Sequence, residues 1–188
     1  MKYIGPDFCN ITSLLTDEEL LIQKTANEFV AKEFLPVVNE YYEKGSFPKE
    51  LIGKMGELGF FGATLPKKYG GSEISSTAYG LIMQELEKGD SGLRSVCSVQ
   101  GGLVMYPIFE YGSEEQKEKW LPELAAGKAV GCFGLTESNH GSDPGGMTTK
   151  AVKDGDDWII NGSKMWITNG SIADVAVVWA KDEEGIVR

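Results

Sequence analysis

Apolar residues recur at helical spacing through the first two thirds of the chain, and the pattern changes to short β-type runs after Gly127. Thr16 and Glu19 have the spacing of a capping box, and an amphipathic run follows them, so a helix is predicted to begin there. Ser113 and Gln116 form a second capping box, which predicts another helix. Three further helix starts are predicted, at Pro36, at Pro48 and at Ser75 or Ser76.

The stretch 93–111 is nearly all apolar or small. It is predicted to be a helix buried in the centre of its domain. Gly101 and Gly102 weaken this helix by about 1 kcal/mol each relative to alanine. Such a pair indicates that another backbone or a ligand comes close to the helix.

The β-type runs come after the helices, and the two kinds of element do not alternate. This order predicts an α+β protein with two domains rather than a doubly wound sheet. We expect an all-α domain over 1–127 and the first strands of a barrel or sandwich domain over 128–188. About sixty residues of strand are few for a closed barrel or sandwich, so we expect the front part of a longer protein. The predicted strands are 130–135, 148–153, 158–161, 165–168 and 175–181.

Composition excludes several functions. A net charge of −10 argues against a nucleic-acid partner, which needs clustered Lys and Arg. Cys9, Cys97 and Cys132 include no Cys-x-x-Cys pair, which favours reduced structural thiols. His140 is the only histidine, so neither a metal site nor a histidine-based triad is expected. The sequence shows neither a membrane span nor a signal or transit segment, and the expected location is the cytoplasm.

Arg94 stands in a stretch with almost no other charge. Ser98 and Gly101 follow at i+4 and i+7, so the three share one helix face. A guanidinium fork, a hydroxyl and a gap beside them could seat a carboxylate. The alternative is an internal salt bridge, most obviously to Glu87 or Asp90.

Two stretches end in small polar residues and glycine, as phosphate-binding and ring-binding loops do. The first, Gly-Cys-Phe-Gly-Leu-Thr-Glu-Ser-Asn-His-Gly-Ser-Asp, covers 131–143, and the second, Met-Trp-Ile-Thr-Asn-Gly, covers 165–170. Together they resemble the flavin-binding signature of the acyl-CoA dehydrogenase family. Either stretch alone would favour a sandwich edge loop with a core tryptophan. The segment 85–108 resembles the substrate-recognition segment of the glutaryl-CoA dehydrogenases within that family.

The resemblance implies a role for each matching substrate residue. Arg94, Ser95 and Ser98 would bind the free carboxylate of a glutaryl chain, and Glu87 would modulate the arginine's charge. Ser142 would contact the pyrophosphate of the cofactor or the thioester ligand. Gly101, Gly102 and Tyr106 depart from the family pattern, which has serine and histidine in this region.

The cofactor implied by the resemblance is FAD. The backbone near Phe133 and Leu135, with Thr136, would hydrogen-bond the pyrimidine side of the ring. Thr168 would reach the N5 edge, and Trp166 would cover one face. The full set of implied cofactor residues is Phe133, Leu135, Thr136, Gly141, Ser142, Trp166, Ile167 and Thr168.

The activity implied for the complete protein is flavin-dependent α,β-dehydrogenation of glutaryl-CoA, with decarboxylation to crotonyl-CoA, a step of lysine and tryptophan degradation. The family's catalytic glutamate belongs to a C-terminal helical domain and matches nothing here, so this chain alone is expected to be inactive. An electron-transferring flavoprotein and a homotetramer are the implied partners. Two alternatives remain: a short-chain acyl-CoA dehydrogenase with another substrate preference, and a non-catalytic module that binds flavin or acyl-CoA.

Overall fold

The computed structural model describes residues 7–188, which form two compact units that divide between Ala129 and Val130. The first unit is helical and the second carries the strands. This confirms the predicted order of a helical domain followed by the first strands of a β domain. Among the described residues, none of the helices has the length and apolar character that crossing a membrane requires.

The helical unit contains seven α-helices within the described residues. A π-helical turn, Val30–Phe34, extends the first helix, and a longer one, Val99–Met105, joins the fifth to the sixth. The helices are α1 Asp17–Phe29, α2 Val38–Glu43, α3 Glu50–Glu57, α4 Ser76–Gly89, α5 Ser91–Ser98, α6 Tyr106–Tyr111 and α7 Glu114–Ala125.

Local capping sets the starts of α1 and α7. The Thr16 hydroxyl accepts a hydrogen bond from the Glu19 N–H, and the Glu19 carboxylate accepts one from the Thr16 N–H at 3.0 Å. Ser113 and Gln116 make the same reciprocal pair, so both predicted capping boxes are confirmed. Each box satisfies backbone donors that a helix N-terminus otherwise leaves open.

The second helix begins two residues later than predicted, at Val38 rather than at Pro36. The Val37 N–H donates to the Phe34 carbonyl at 3.0 Å, so the chain completes a turn after the π-helical segment before α2 starts. Shifts of this size are common at helix ends.

In the core of the helical unit, α4 packs against both α1 and α5. Phe29 of α1 packs edge to face against Phe60, with ring centroids 5.7 Å apart. Leu86 of α4 and Leu93 of α5 are fully buried in the same core. Burial of such side chains stabilises a fold by about 1.5–3 kcal/mol each, so these residues contribute to the packing of α4 against α1 and α5.

The predicted helix over 93–111 is present as a continuous helical run, but the prediction that it is buried all round is wrong. It is built from α5, the π-helical turn Val99–Met105 and α6, and one side of it is exposed, including Leu103 and Tyr106. On the buried side, Gly101 allows close packing, because a Cβ at this position would lie 2.6 Å from the Phe61 carbonyl oxygen. A neighbouring backbone therefore occupies the space beside Gly101, whereas the space beside Gly102 is open.

The second unit has two two-stranded sheets. Strand β1, Gly131–Gly134, pairs in parallel with β4, Val175–Val178. Strands β2, Lys150–Asp154, and β3, Asp157–Asn161, form an antiparallel hairpin. Every residue of β3 is exposed.

The predicted strand over 165–168 is wrong. This segment is a bend followed by a turn, and Trp166 and Asn169 have φ angles of 61° and 67°. Those angles lie in the left-handed region, which β-strands do not use. The apolar run Met-Trp-Ile therefore belongs to a loop.

Candidate functional site

The edge of β1 that does not pair with β4 faces the loop that follows β3. The Gly134 carbonyl accepts from the Trp179 N–H at 3.0 Å, and the Val130 carbonyl accepts from the Val175 N–H at 3.2 Å. Alternate residues of a parallel strand bond to one neighbour. Phe133 and Leu135 therefore direct their N–H and C=O groups away from β4.

Residues 162–170, which we call the edge loop, lie along this open edge. The Asn169 side-chain amide donates to the Gly131 carbonyl at 3.1 Å, and the Met165 N–H donates to the Thr136 carbonyl at 2.8 Å. Between them, the Lys164 ammonium donates to the Leu135 carbonyl at 3.0 Å. The structure thus brings together the two segments that the sequence proposed as cofactor-binding, although one of them is not a strand.

A buried carboxylate anchors the same junction. Glu137 accepts hydrogen bonds from the backbone N–H and the hydroxyl of both Thr148 and Thr149. It also pairs with Lys164 at 3.0 Å, and both side chains are almost fully enclosed, with exposures of 4% and 11%. Burial by itself would raise the pKa of Glu137, but these hydrogen bonds outweigh it and hold the pKa well below its ordinary value of 4.5.

Four donors at the C-terminal end of β1 and in the edge loop, which together we call the β1 edge, have no hydrogen-bond acceptor among residues 7–188. They are the backbone N–H groups of Leu135 and Thr136 and the hydroxyls of Thr136 and Thr168, and all three residues are half-buried. Donors of this kind suit a planar ring with carbonyl and nitrogen acceptors. The donor set therefore fits a flavin.

The aromatic residues of the two segments differ in their surroundings. The Phe133 ring packs edge to face against Trp179, with centroids 6.1 Å apart. The Trp166 side chain is 85% exposed and its backbone is held in the left-handed region, while Ile167 is half-buried. An exposed indole beside open donors is available to cover a ligand face.

Gly141 and Ser142 lie in an exposed loop between the Glu137–His140 bridge and a 3₁₀ turn, Pro144–Gly146. Among the described residues, the Ser142 hydroxyl has no hydrogen-bond partner. The predicted cofactor roles of Gly141 and Ser142 stay predictions.

The helical unit holds the predicted carboxylate site. The Arg94 Nε donates to Glu87 at 2.7 Å, and its Nη1 donates to the Ser98 hydroxyl at 3.1 Å. Hydrogen bonds from Ser91 and then from Arg94 lower the pKa of the Glu87 carboxyl. The Ser98 hydroxyl in turn donates to the Ser95 carbonyl. Glu87, Arg94 and Ser98 thus form one linked cluster.

Two expectations about this face need correction. Arg94 is 35% exposed, so it is not the deeply buried cation that its apolar surroundings suggested, because Glu87 lies close enough to pair with it at the surface. The gap expected beside Gly101 is filled by the Phe61 carbonyl, so it cannot seat a ligand group. Arg94 keeps one nitrogen, Nη2, without a hydrogen bond among the described residues.

Sequence reasoning missed Glu137 and Lys164 as members of the β1 edge. They are 27 positions apart, and neither has a helical or strand periodicity that would pair them. The available signal was their position, because each lies inside or directly beside one of the two predicted cofactor segments and they carry opposite charges.

Comparison with known families decides the assignment of the chain. Residues 16–128 match the model for the acyl-CoA dehydrogenase N-terminal domain, and residues 132–187 match the model for the middle domain. The chain belongs to the acyl-CoA dehydrogenase family. The family predicted from the two loop segments is thereby confirmed.

Named relatives place the chain among several acyl-CoA dehydrogenases. A probable acyl-CoA dehydrogenase of Bacillus subtilis is 42% identical over 91% of this chain and 46% of its own length. The human mitochondrial short-chain specific acyl-CoA dehydrogenase is 34% identical over 92% of this chain and 42% of its own length. The chain therefore spans less than half the length of these relatives.

Solved acyl-CoA dehydrogenase structures share the fold closely. A glutaryl-CoA dehydrogenase from Mycobacterium smegmatis in complex with FADH2 is 49% identical, with a TM-score of 0.93, over 97% of this chain and 47% of that one. Another structure of glutaryl-CoA dehydrogenase from the same organism is 52% identical, with a TM-score of 0.91, over 95% and 46%. Butyryl-CoA dehydrogenase from Megasphaera elsdenii is 42% identical, with a TM-score of 0.82, over 89% and 45%.

Proposed function

We propose that the complete protein carries out the flavin-dependent α,β-dehydrogenation of glutaryl-CoA, with decarboxylation to crotonyl-CoA. The observation that carries this proposal is the cluster of Glu87, Arg94 and Ser98, which presents a cation and a hydroxyl on one helix face. The 52% identity to a glutaryl-CoA dehydrogenase supports the same choice. A substrate with an uncharged tail has no use for a guanidinium at this place.

The proposed cofactor is FAD, and the β1 edge is its proposed seat. The N–H groups of Leu135 and Thr136, with the Thr136 hydroxyl, would hold the polar edge of the ring, and the Thr168 hydroxyl would face its reactive edge. Trp166 would shield one side from water. When bound, a flavin supplies the hydride acceptor for oxidation at the β carbon. Phe133, Ile167, Gly141 and Ser142 remain proposed contacts to the cofactor.

The distal carboxylate of the substrate would bind to Arg94 through the nitrogen that has no protein partner, with Ser95 and Ser98 beside it. Glu87 already pairs with the same guanidinium, so an incoming carboxylate meets both the arginine's charge and a like charge. This like charge would offset part of the attraction, and the remaining attraction would still favour a dicarboxylic thioester over a neutral one.

No residue of this chain is proposed as the catalytic base that removes the proton α to the thioester. The family resemblance assigns that role to a glutamate of a C-terminal helical domain, and we propose that this chain alone is inactive. We also propose an electron-transferring flavoprotein as electron acceptor and a homotetramer as the assembly of the complete protein.

A short-chain acyl-CoA dehydrogenase is the second candidate function. It is favoured by the 42% identity to a butyryl-CoA dehydrogenase, together with the departures from the family pattern at Gly101, Gly102 and Tyr106. Under this alternative the Glu87–Arg94 pair would be structural, and a neutral acyl chain would bind as well as a charged one.

The two candidates are separated by measuring how tightly the FAD-loaded chain binds glutaryl-CoA and butyryl-CoA by calorimetry. Arg94→Gln removes the proposed carboxylate anchor, and Arg188→Gln is a matched control, because Arg188 also pairs through Nε with a carboxylate, at 2.7 Å. Charge-assisted hydrogen bonds contribute about 1.5–3 kcal/mol, so Arg94→Gln should weaken glutaryl-CoA binding about 10- to 100-fold.

Butyryl-CoA binding should be unchanged in Arg94→Gln, and Arg188→Gln should bind both thioesters like the wild type. Equal weakening of both thioesters, or none, would return Arg94 to a structural role. A wild-type chain that prefers butyryl-CoA would support the short-chain alternative.

A further inference from the structure

The Lys164 ammonium is held in one place by three groups of its own unit. It donates to the Leu135 carbonyl and to Glu137, each at 3.0 Å, and the Met147 sulfur lies 3.7 Å away. An ammonium has three N–H donors, so all three are accounted for. Lys164 therefore has no spare donor for a ligand, and any effect it has on the site must pass through a group that it contacts.

The contact with Leu135 carries such an effect. The carbonyl of Leu135 and the N–H of Thr136 belong to the same peptide group, and that N–H has no acceptor among the described residues. A cation that hydrogen-bonds to a peptide oxygen draws electron density toward it and leaves the N–H a stronger donor. The contact is nearly enclosed, which limits screening by water.

Glu137 completes the arrangement without cancelling it. Four hydrogen bonds from Thr148 and Thr149 already spread the charge of this carboxylate, and its fifth holds the Lys164 ammonium against the Leu135 carbonyl. Without this carboxylate the Lys164 ammonium would keep only the Leu135 carbonyl and the Met147 sulfur as acceptors. The ion pair thus fixes the direction in which the positive charge acts.

We infer that Lys164 is a positioning residue that strengthens the Thr136 N–H as a donor to the ring of a bound flavin and so favours the reduced form of the cofactor. This inference rests on the proposed function, because it needs the β1 edge to hold a flavin. A reduced flavin carries more electron density on its ring acceptors than the oxidised form, so a stronger donor stabilises it more. The expected effect is therefore a change in the ratio of the affinities for reduced and oxidised flavin, and not an equal change in both affinities.

The test measures that difference directly, with FAD and dithionite-reduced FAD as probes. Dissociation constants for both forms are measured by calorimetry under nitrogen for the wild-type chain, Lys164→Met and Lys164→Arg. Lys153→Met is the matched control, because Lys153 is an exposed lysine on β2 of the same unit. The quantity compared is the ratio of the two dissociation constants in each protein.

Lys164→Met should reduce the preference for reduced FAD about tenfold, which corresponds to about 30 mV for a two-electron couple. Lys164→Arg, which keeps a donor and its charge, should restore most of the preference, and Lys153→Met should match the wild type. Equal weakening of both forms in Lys164→Met would show that Lys164 only supports the fold, and would overturn the inference.

Failure of the proposed flavin site and failure of the proposed role of Lys164 give different results. A wild-type chain that binds neither form of FAD would refute the proposed flavin site, and the inference with it. Where Lys164→Met fails to fold, Lys164→Gln takes its place, because its amide can still donate to the Leu135 carbonyl without a charge. A folded Lys164→Gln with an unchanged ratio, or an unfolded one, would assign Lys164 a purely structural role.

Discussion

Replacing Glu137 with methionine should unfold most of the strand-containing unit. The substitution removes one acceptor that serves five donors and leaves the Lys164 ammonium in a site where its side chain is only 11% exposed. Removing one partner of a buried ion pair costs about 3–5 kcal/mol. A unit of about sixty residues has a free energy of unfolding on the order of 3–9 kcal/mol, at about 0.05–0.15 kcal/mol per residue. The stability lost in Glu137→Met is therefore comparable with the whole free energy of unfolding of this unit.

The assay is urea unfolding followed by tryptophan fluorescence, since Trp158, Trp166 and Trp179 lie in this unit and only Trp120 lies in the helical one. Glu183→Met is the control, because Glu183 is an exposed acid of the same unit and its loss should change the free energy of unfolding by no more than about 0.5 kcal/mol.

A double variant tests whether the unpaired Lys164 charge causes the loss of stability. Glu137→Met combined with Lys164→Met removes both charges, so it should be at least about 1 kcal/mol more stable than Glu137→Met alone. A cost below about 1 kcal/mol for Glu137→Met, or a double variant less stable than the single one, would refute the view that this pair is a buried anchor.

Two further predictions follow from contacts in the structure. The pKa of Glu137 is lowered in the folded state, so its stabilising contribution is present above the ordinary value of 4.5 and is lost as the pH falls below it. Urea midpoints measured between pH 3 and 7 should show this loss of stability. Glu137→Gln, which cannot titrate, should make the loss smaller. Gly101→Ala should destabilise the helical unit by about 1–3 kcal/mol, because its Cβ would lie 2.6 Å from the Phe61 carbonyl oxygen. The Cβ of Gly102→Ala meets open space, so this variant should raise the thermal midpoint of unfolding. Equal midpoints for the two variants would contradict the close approach of Phe61 to Gly101.

Much of the helical unit could be predicted from the sequence because its signals are local. The capping boxes at Thr16 and Ser113 act within one turn, so the residues that set those helix starts are neighbours in the chain. The order of helices before strands was predictable for the same reason. The type of each element can be predicted from its hydrophobic periodicity without knowledge of any long-range contact.

The edge loop could not be predicted because long-range contacts override its local pattern. Met-Trp-Ile-Thr has the composition of a strand, yet the Met165 N–H and the Lys164 ammonium bond to carbonyls about 30 positions earlier in the chain. Those contacts, with Asn169 on Gly131, hold Trp166 and Asn169 in the left-handed region. Only the folded unit contains this information.

The Arg94 site shows an intermediate case. The sequence identified the candidate partners of Arg94, a substrate carboxylate and either Glu87 or Asp90, and the structure contains the pair with Glu87. It also shows that the arginine is partly exposed, because a surface carboxylate seven positions earlier on the preceding helix comes within hydrogen-bond reach. Sequence spacing gave the members of this cluster but not their exposure.

The most direct test of the account is a titration of the isotopically labelled chain with FAD, followed by its backbone amide resonances. If flavin binds at the β1 edge, the largest shifts should fall on Leu135, Thr136 and Thr168, with smaller ones in the rest of the edge loop. Shifts confined to the β2–β3 hairpin or to the helical unit, or no shifts at saturating FAD, would contradict a flavin site at the open edge of β1.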